Sequence, residues 1–471
     1  MRTSNRNAQL AKNTVILTTG KISTQFVNFF LLPLYTALLD PSDYGIVDLI
    51  STYAALLLPI VGLELGMGLF RFMLDVRHDE QKQDCLISTV MTVTHLQSAG
   101  FFLLFTVIQC FVHSPYKIFL AIEIILNLYS SLMMQIARGF GRNDIYSAAS
   151  FLSASTMVML NVLFIAVMRL GVYGMFYGLI LSKIITNLYL VCALKIWRHY
   201  YVRMFDKAEL KEIMKYSMPL VPNQLSWWFI GASDRVVISN VLGVAFNGLY
   251  SVANKFSTMY ITFYNIFNLA WTESAALHIN DKDGEEFLNK TISMMYSLFS
   301  AICIGIIACM PFVFPLLINE KYEGAYPQIP ILMIAVMCQS VVGLVSVAYT
   351  AKKMSAAIAK TSFWIALINL STDLMMIRFV GLYAASLSTL LAYGVMMLYR
   401  LYDVQKYVKI KIPTLKLATT FAVTIVVCAA YYSHNVLFQE GALLLAVIYS
   451  ITANKEFLKG IKDIVLSHIR K

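Results

Sequence analysis

Several ionisable side chains of this 471-residue chain lie where they are costly. Lys21, Lys183, Arg235, Lys255, Glu64 and Asp234 fall within long, otherwise apolar runs. A charge at membrane depth faces protein, a partner charge or a watery cavity rather than lipid. Spacing sharpens the point. Thr14, Thr18, Lys21, Gln25 and Asn28 recur every three or four residues, which places all five on one helical face. Asn247, Ser251, Asn254, Thr258, Asn265 and Asn268 make a similar stripe, with Lys255 at its edge. Taken singly, such residues glue neighbouring helices together through hydrogen bonds. Two stripes, each with a lysine, predict a shared hydrophilic cavity.

Other residues have two readings each. Arg235 either pairs with Asp234 or snorkels to the membrane interface. Asp234 and Glu64 are candidates for coupling to an ion: Asp234 has a cationic neighbour, and Glu64 stands among glycines in GLELGMG, needing a proton or a partner. Arg71, Arg138 and Arg142 sit at span ends, where they set topology and contact headgroups. A guanidinium there also suits phosphate, which it binds in bidentate fashion. Lys183 has no accompanying stripe. Pro33, Pro219 and Pro222 remove backbone donors near the ends of two spans and should bend or break them, which suits gating. Trp227 and Trp228 lie too deep for an interfacial belt and either pack or stack on a ligand.

The elements that must position these residues are membrane helices. Hydrophobic residues make up 59% of the chain, charged residues 13%, and mean hydropathy is +0.68. Apolar runs of about 20 residues recur from end to end, the length that crosses a bilayer as helix. The expected fold is an all-α polytopic membrane protein with about fourteen spans. About 29 of the 37 Lys and Arg residues fall on one side, which puts both termini in the cytoplasm. Topology therefore explains the net charge of +11 better than nucleic acid does. The seven cysteines show no metal-ligand spacing, and no metal or cofactor is expected.

The chain repeats itself. Gly45 aligns with Gly248 at an offset of about 203 residues, and the joint at Arg169–Tyr173 resembles that at Arg378–Tyr383. This divides the chain into an N-lobe of six spans (1–197), a linker (198–216), a C-lobe of six spans (217–401) and an additional span pair (402–456). A cytoplasmic tail follows (457–471). Parallel lobes of this kind permit rocking about a central cavity. Within the linker, Asp206 to Glu209 reads as a capping box that opens a short helix, whose apolar face should lie on the membrane surface.

Three segments carry a family resemblance: LYTALLDPSDYGIVDLIST after the first span, PLVPNQLSWWFIGASDRVVI in the seventh and NGLYSVANKF in the eighth. They resemble the polysaccharide transporter branch of the multidrug/oligosaccharidyl-lipid/polysaccharide exporter superfamily, home of the O-antigen and capsule-repeat flippases. The resemblance covers roughly residues 10–400. It implies a two-lobed fold like that of MATE exporters and lipid II flippases, the latter sharing the fourteen spans. It also implies transfer of an undecaprenyl-diphosphate-linked oligosaccharide from the inner to the outer leaflet of a bacterial cytoplasmic membrane. Transfer would be driven by H+ or Na+, with polysaccharide polymerase or assembly proteins as partners. Lys21, Arg235 and Lys255 would then hold the diphosphate, with Gln25, Asn28, Asn254, Lys183 and the three arginines lining the path. Competing readings are a cation-coupled drug exporter, which needs an acidic cavity where this buried set leans basic, and a membrane polymerase or glycosyltransferase. Such enzymes usually need a large outer loop or an acidic catalytic cluster, and here the outer loops are short.

Overall fold

The computed structural model describes residues 29, 31–77, 79–111, 114–278, 281, 283–351, 355–410, 413–455 and 459. Among them, helices and connecting turns account for the fold, with no strand. Eleven of the described helices are long and apolar enough to cross a membrane. Two more, Leu220–Val241 and Val244–His278, are long enough at 22 and 35 residues but carry the polar residues of the seventh and eighth spans. Most of the first span, with Lys21, Gln25 and Asn28, lies outside the described residues, as does nearly all of the tail. The protein is thus an all-α, multi-pass membrane protein, in agreement with about fourteen spans.

Two compact units divide the chain, Met1–Gly248 and Leu249–Lys471. The first contains α1 (Leu32–Leu38), α2 (Pro41–Gly62), α3 (Leu65–Asp75), α4 (Glu80–Ile108) and α5 (Lys117–Gly139). It continues with α6 (Asn143–Asn161), α7 (Gly171–Leu194), α8 (Lys207–Ser217) and α9 (Leu220–Val241). Pro41 opens α2 at a position where the proline's missing N–H would have had no partner. The second span is not continuous. Leu63 and Glu64 both adopt left-handed backbone, with φ of 49° and 53°, and separate α2 from α3. That conformation costs roughly 1–2 kcal/mol per non-glycine residue, so packing must hold it. Leu65 and Leu69, 2% and 0% exposed, anchor the following turn.

The linker helix forms as its sequence requires: the Asp206 carboxylate accepts from the backbone N–H of Ala208 at 2.7 Å and caps α8. Part of its apolar face meets protein, while Phe205 is exposed. Ile213 is fully buried beside Gly68, in a core with Leu65, Leu69, Met73 and Ile136. A glycine at that crossing lets the helix approach closely enough to bury what was expected to rest on lipid. The prolines also act at a helix boundary. Pro219 is the N-cap of α9 and Pro222 lies in its first turn, so the chain breaks between α8 and α9 at Met218–Pro219 while the span beyond stays unbroken. Pro33 likewise falls in the first turn of α1.

The second unit takes up α10 (Val244–His278) from Leu249 onward. It then holds α11 (Gly284–Leu317), α12 (Ile329–Ala351), α13 (Ser355–Val380), α14 (Tyr383–Asp403), α15 (Thr414–Tyr432) and α16 (Val436–Ala453). The additional pair, α15 and α16, is tied into this unit by buried hydroxyls. Tyr449 Oη lies 3.1 Å from Ser300 Oγ and 2.6 Å from Thr420 Oγ1, and Tyr431 donates to the Tyr326 carbonyl at 2.6 Å. The repeated joints share backbone as well as sequence: Gly171 and Gly381 have φ of 56° and 59°, a region open to glycine without steric penalty.

Candidate functional site

The first polar centre lies where α2, α9 and the start of α10 meet. Arg235 Nε is 2.9 Å from Asp48 Oδ2, and the two side chains are only 17% and 20% exposed. The Asn247 amide donates to the Gly45 carbonyl at 2.9 Å and lies 3.4 Å from Asp48 Oδ2. Arg235 Nη1 also donates to the Gly231 carbonyl at 3.0 Å. The sequence offered Asp234 as partner for Arg235; the structure adds Asp48, on another helix. Asp234 itself is buried, at 4% exposure. What brings these groups together is a pair of glycines. A Cβ on Gly45 would collide with the Val244 carbonyl and the Gly248 N–H, and one on Gly248 with the Pro41 carbonyl. The two glycines that match in the internal repeat are therefore the ones in contact. Nearby, Trp228 Nε1 donates to the Thr52 carbonyl at 2.9 Å, whereas Trp227 is half exposed.

A second centre surrounds Glu64. The helix break sets Glu64 on the wall of a small pocket of about 40 Å³, lined also by Gly62, Gly66, Thr94, Ser131 and Leu132. The Gln224 side chain hydrogen-bonds to the Glu64 carboxylate. The three arginines expected near phosphate differ in their surroundings. Arg71 pairs with Asp75 at 2.7 Å and Arg142 with Asp144 at 2.9 Å. Arg138 has no carboxylate partner among the described residues: it donates to Gln135 Oε1 at 3.0 Å and lies 4.2 Å above the Phe70 ring.

Lys183, on α7, has Glu123 of α5 as its electrostatic partner, and Glu123 accepts from Ser51 Oγ at 3.5 Å. Glu123 is 6% exposed. Neither Asp48 nor Glu123 was singled out from sequence, although each is a lone carboxylate inside an apolar run, the same signal that marked Glu64. In the second unit, Lys255 and Asn254 are half-buried on α10. The Asn254 carbonyl accepts from Thr258 Oγ1 at 2.9 Å, and Asn265, further along the stripe, is exposed. The stripe's beginning is packing: Asn247 and Ser251 are 0% and 2% exposed. Lys21, Gln25 and Asn28 cannot be placed against either centre, since they fall outside the described residues.

This helical membrane fold is shared with solved structures of low sequence identity. Over 96% of this chain and 99% of its own, the lipid II flippase MurJ in an inward closed conformation is similar, with a TM-score of 0.68 and 14% identity. An inward-facing multidrug resistance transporter of the MATE family, in the MOP superfamily, matches 81% of this chain and 95% of its own, with a TM-score of 0.65 and 14% identity. A MOP superfamily transporter from Pyrococcus furiosus, described as having reversed polarity of its binding pocket, matches 84% and 96%, with a TM-score of 0.53 and 16% identity. No curated protein matches the chain by sequence. The family model for polysaccharide biosynthesis proteins matches residues 10–272, and the chain belongs to that family.

Proposed function

We propose that the protein is a flippase that moves an undecaprenyl-diphosphate-linked oligosaccharide repeat unit across a bacterial cytoplasmic membrane, for a surface polysaccharide such as O-antigen, capsule or exopolysaccharide. The observation that carries this reading is the charge of the interior. In a chain of the polysaccharide biosynthesis family, the half-buried cations Lys183, Arg235 and Lys255 suit a diphosphate that displaces Glu123 and Asp48 from the first two. The additional pair α15–α16 supports it too: the likeness to the lipid II flippase extends over 96% of the chain, against 81% for the MATE transporter.

Mechanistically, the parallel repeats suit alternating access, and the Asp48–Arg235 pair at the Gly45–Gly248 crossing acts as the latch that closes one face. Arg138 receives the phosphate at the opposite, cytoplasmic end. Asp234 is the carboxylate placed to couple the cycle to H+ or Na+, buried beside the arginine that the latch uses. The protein carries no reaction of its own in this scheme: it supplies charge, hydroxyls and a path.

The test is transfer in liposomes. Purified protein should move an undecaprenyl-diphosphate-linked oligosaccharide between leaflets, faster with a proton or sodium gradient imposed. Absence of transfer together with efflux of small organic cations would overturn the flippase and establish a drug exporter.

A further inference from the structure

We infer that the first part of the linker, from Lys195 to Phe205, is a preformed binding face for anionic phospholipid headgroups. This goes beyond the flippase reading and stands whether or not that reading does. The segment leaves the bilayer abruptly. Lys195 adopts left-handed backbone, with φ of 51°, and ends α7, one of the helices long and apolar enough to cross a membrane. Two single 3-10 turns follow, Ile196–Arg198 and Val202–Met204. Trp197 lies three residues past the end of the span, at the depth where tryptophan and tyrosine collect in membrane proteins. The first three turns of α4 hold this irregular chain in place. His199 Nδ1 lies 2.7 Å from Asp84 Oδ1, and Ser88 Oγ accepts from the Tyr201 N–H at 2.9 Å. Cys85 Sγ donates to the Met204 carbonyl at 3.3 Å, and Thr89 Oγ1 accepts from the Asp206 N–H at 3.0 Å.

The tether decides which side chains face inward. Ile196 is buried in the core of the first unit, with Tyr200 packed against that core. Trp197, Tyr201, Val202 and Phe205 face out, each between 40% and 62% exposed. Four large apolar side chains held towards water mark an interaction surface, and at a span end the bilayer is what lies beside them. Charge selects the lipid. Lys195, Arg198 and Arg203 are exposed and form no ion pair among the described residues, and no Asp or Glu occurs between 195 and 205. Of the nearby carboxylates, Asp84 is engaged by His199 and Asp206 caps α8. Cations interleaved with aromatic residues suit a leaflet carrying phosphatidylglycerol, where each Lys or Arg at the surface is worth about fivefold in affinity.

The test puts a fluorophore on Val202→Cys in the full chain, with the seven native cysteines replaced and the protein in phosphatidylcholine nanodiscs. Phosphatidylglycerol carrying a spin label near the top of its acyl chain should quench the fluorophore several-fold more than phosphatidylcholine labelled in the same way. Arg198→Gln combined with Arg203→Gln should bring the two lipids level. Arg198→Lys combined with Arg203→Lys should keep the preference, because a headgroup phosphate is also met by a point charge. A second readout needs no label: phosphatidylglycerol added to the native chain in detergent should raise its unfolding temperature more than phosphatidylcholine does, and the Arg→Gln pair should abolish the difference. Equal quenching by both lipids, or a preference that survives the Arg→Gln pair, overturns the proposal. Quenching by neither lipid also overturns it and leaves the face to a protein partner. Should the cysteine-free chain fail to fold, equal unfolding temperatures of the native chain in the two lipids overturn it alone.

Discussion

At the scale of single residues, exposure separates ion pairs that matter from those that do not. Arg235–Asp48 and Arg71–Asp75 have similar distances, 2.9 and 2.7 Å, but side-chain exposures of 17% and 20% against 47% and 64%. Exposed pairs contribute little, because solvent screens them and two long side chains must be ordered. Removing one member of a sheltered pair leaves the other charge stranded, at a cost on the order of 3 kcal/mol. Arg235→Ala should therefore lower the thermal stability of the purified protein clearly, Arg71→Ala should leave it near wild type, and Asp48→Asn combined with Arg235→Gln should recover part of the loss. Equal melting temperatures for the two single variants would remove the pair from any structural or latching role. The sequence marked Arg235 as costly but not its distant partner. An ionisable residue in an apolar run announces that a partner exists; only the helix crossing says which one. The same holds for Lys183 and Glu123, and for Arg138, whose lack of a carboxylate partner among the described residues becomes visible only beside its paired neighbours.

At the scale of elements, the internal repeat was the most informative feature of the sequence. It matched Gly45 to Gly248, and those residues form the closest approach between α2 and α10, where neither can carry a side chain without displacing backbone. Gly248→Ala should force the helices apart, break the Asn247 bond to the Gly45 carbonyl, and destabilise the protein by about 2 kcal/mol, the scale of overpacking in a tight core. An alanine at Gly231, where a Cβ meets no other atom within 4 Å, is the matched control. Thermal unfolding of the two proteins decides: similar curves would mean that the crossing is not tight. Other element-level features were not legible. The break at Leu63–Glu64 needs two non-glycine residues in left-handed backbone, which local preference opposes and packing imposes. The π-helical turn at Val162–Val167 carries no sequence signal beyond Asn161, whose amide donates to Tyr35 Oη at 2.6 Å in the core. The contact of Ile213 with Gly68 was not legible for a related reason: amphipathicity shows that a face is apolar, not what covers each residue of it.

At the scale of the whole chain, composition and periodicity disclosed the helical membrane class and the approximate number of spans, since the bilayer imposes a length and an apolarity that any spanning helix must satisfy. They disclosed the seventh and eighth spans least well by hydropathy, because the polar residues those helices carry dilute their apolar character. The orientation of the chain in the membrane is argued from the asymmetry of the basic loops, and it can be checked without a substrate. In a background with the seven native cysteines replaced, Lys321→Cys and Lys207→Cys each place one exposed thiol on opposite sides of the proposed topology. A membrane-impermeant maleimide should label Lys321→Cys in intact cells and Lys207→Cys only after permeabilisation, because Lys207 belongs to the heavily basic side that the positive-inside rule retains in the cytoplasm. The reverse pattern would turn the molecule over. Under the proposed mechanism Arg138 would then face outward and the Asp48–Arg235 pair would close the cytoplasmic face, so the substrate would have to be loaded from the leaflet to which a flippase delivers it.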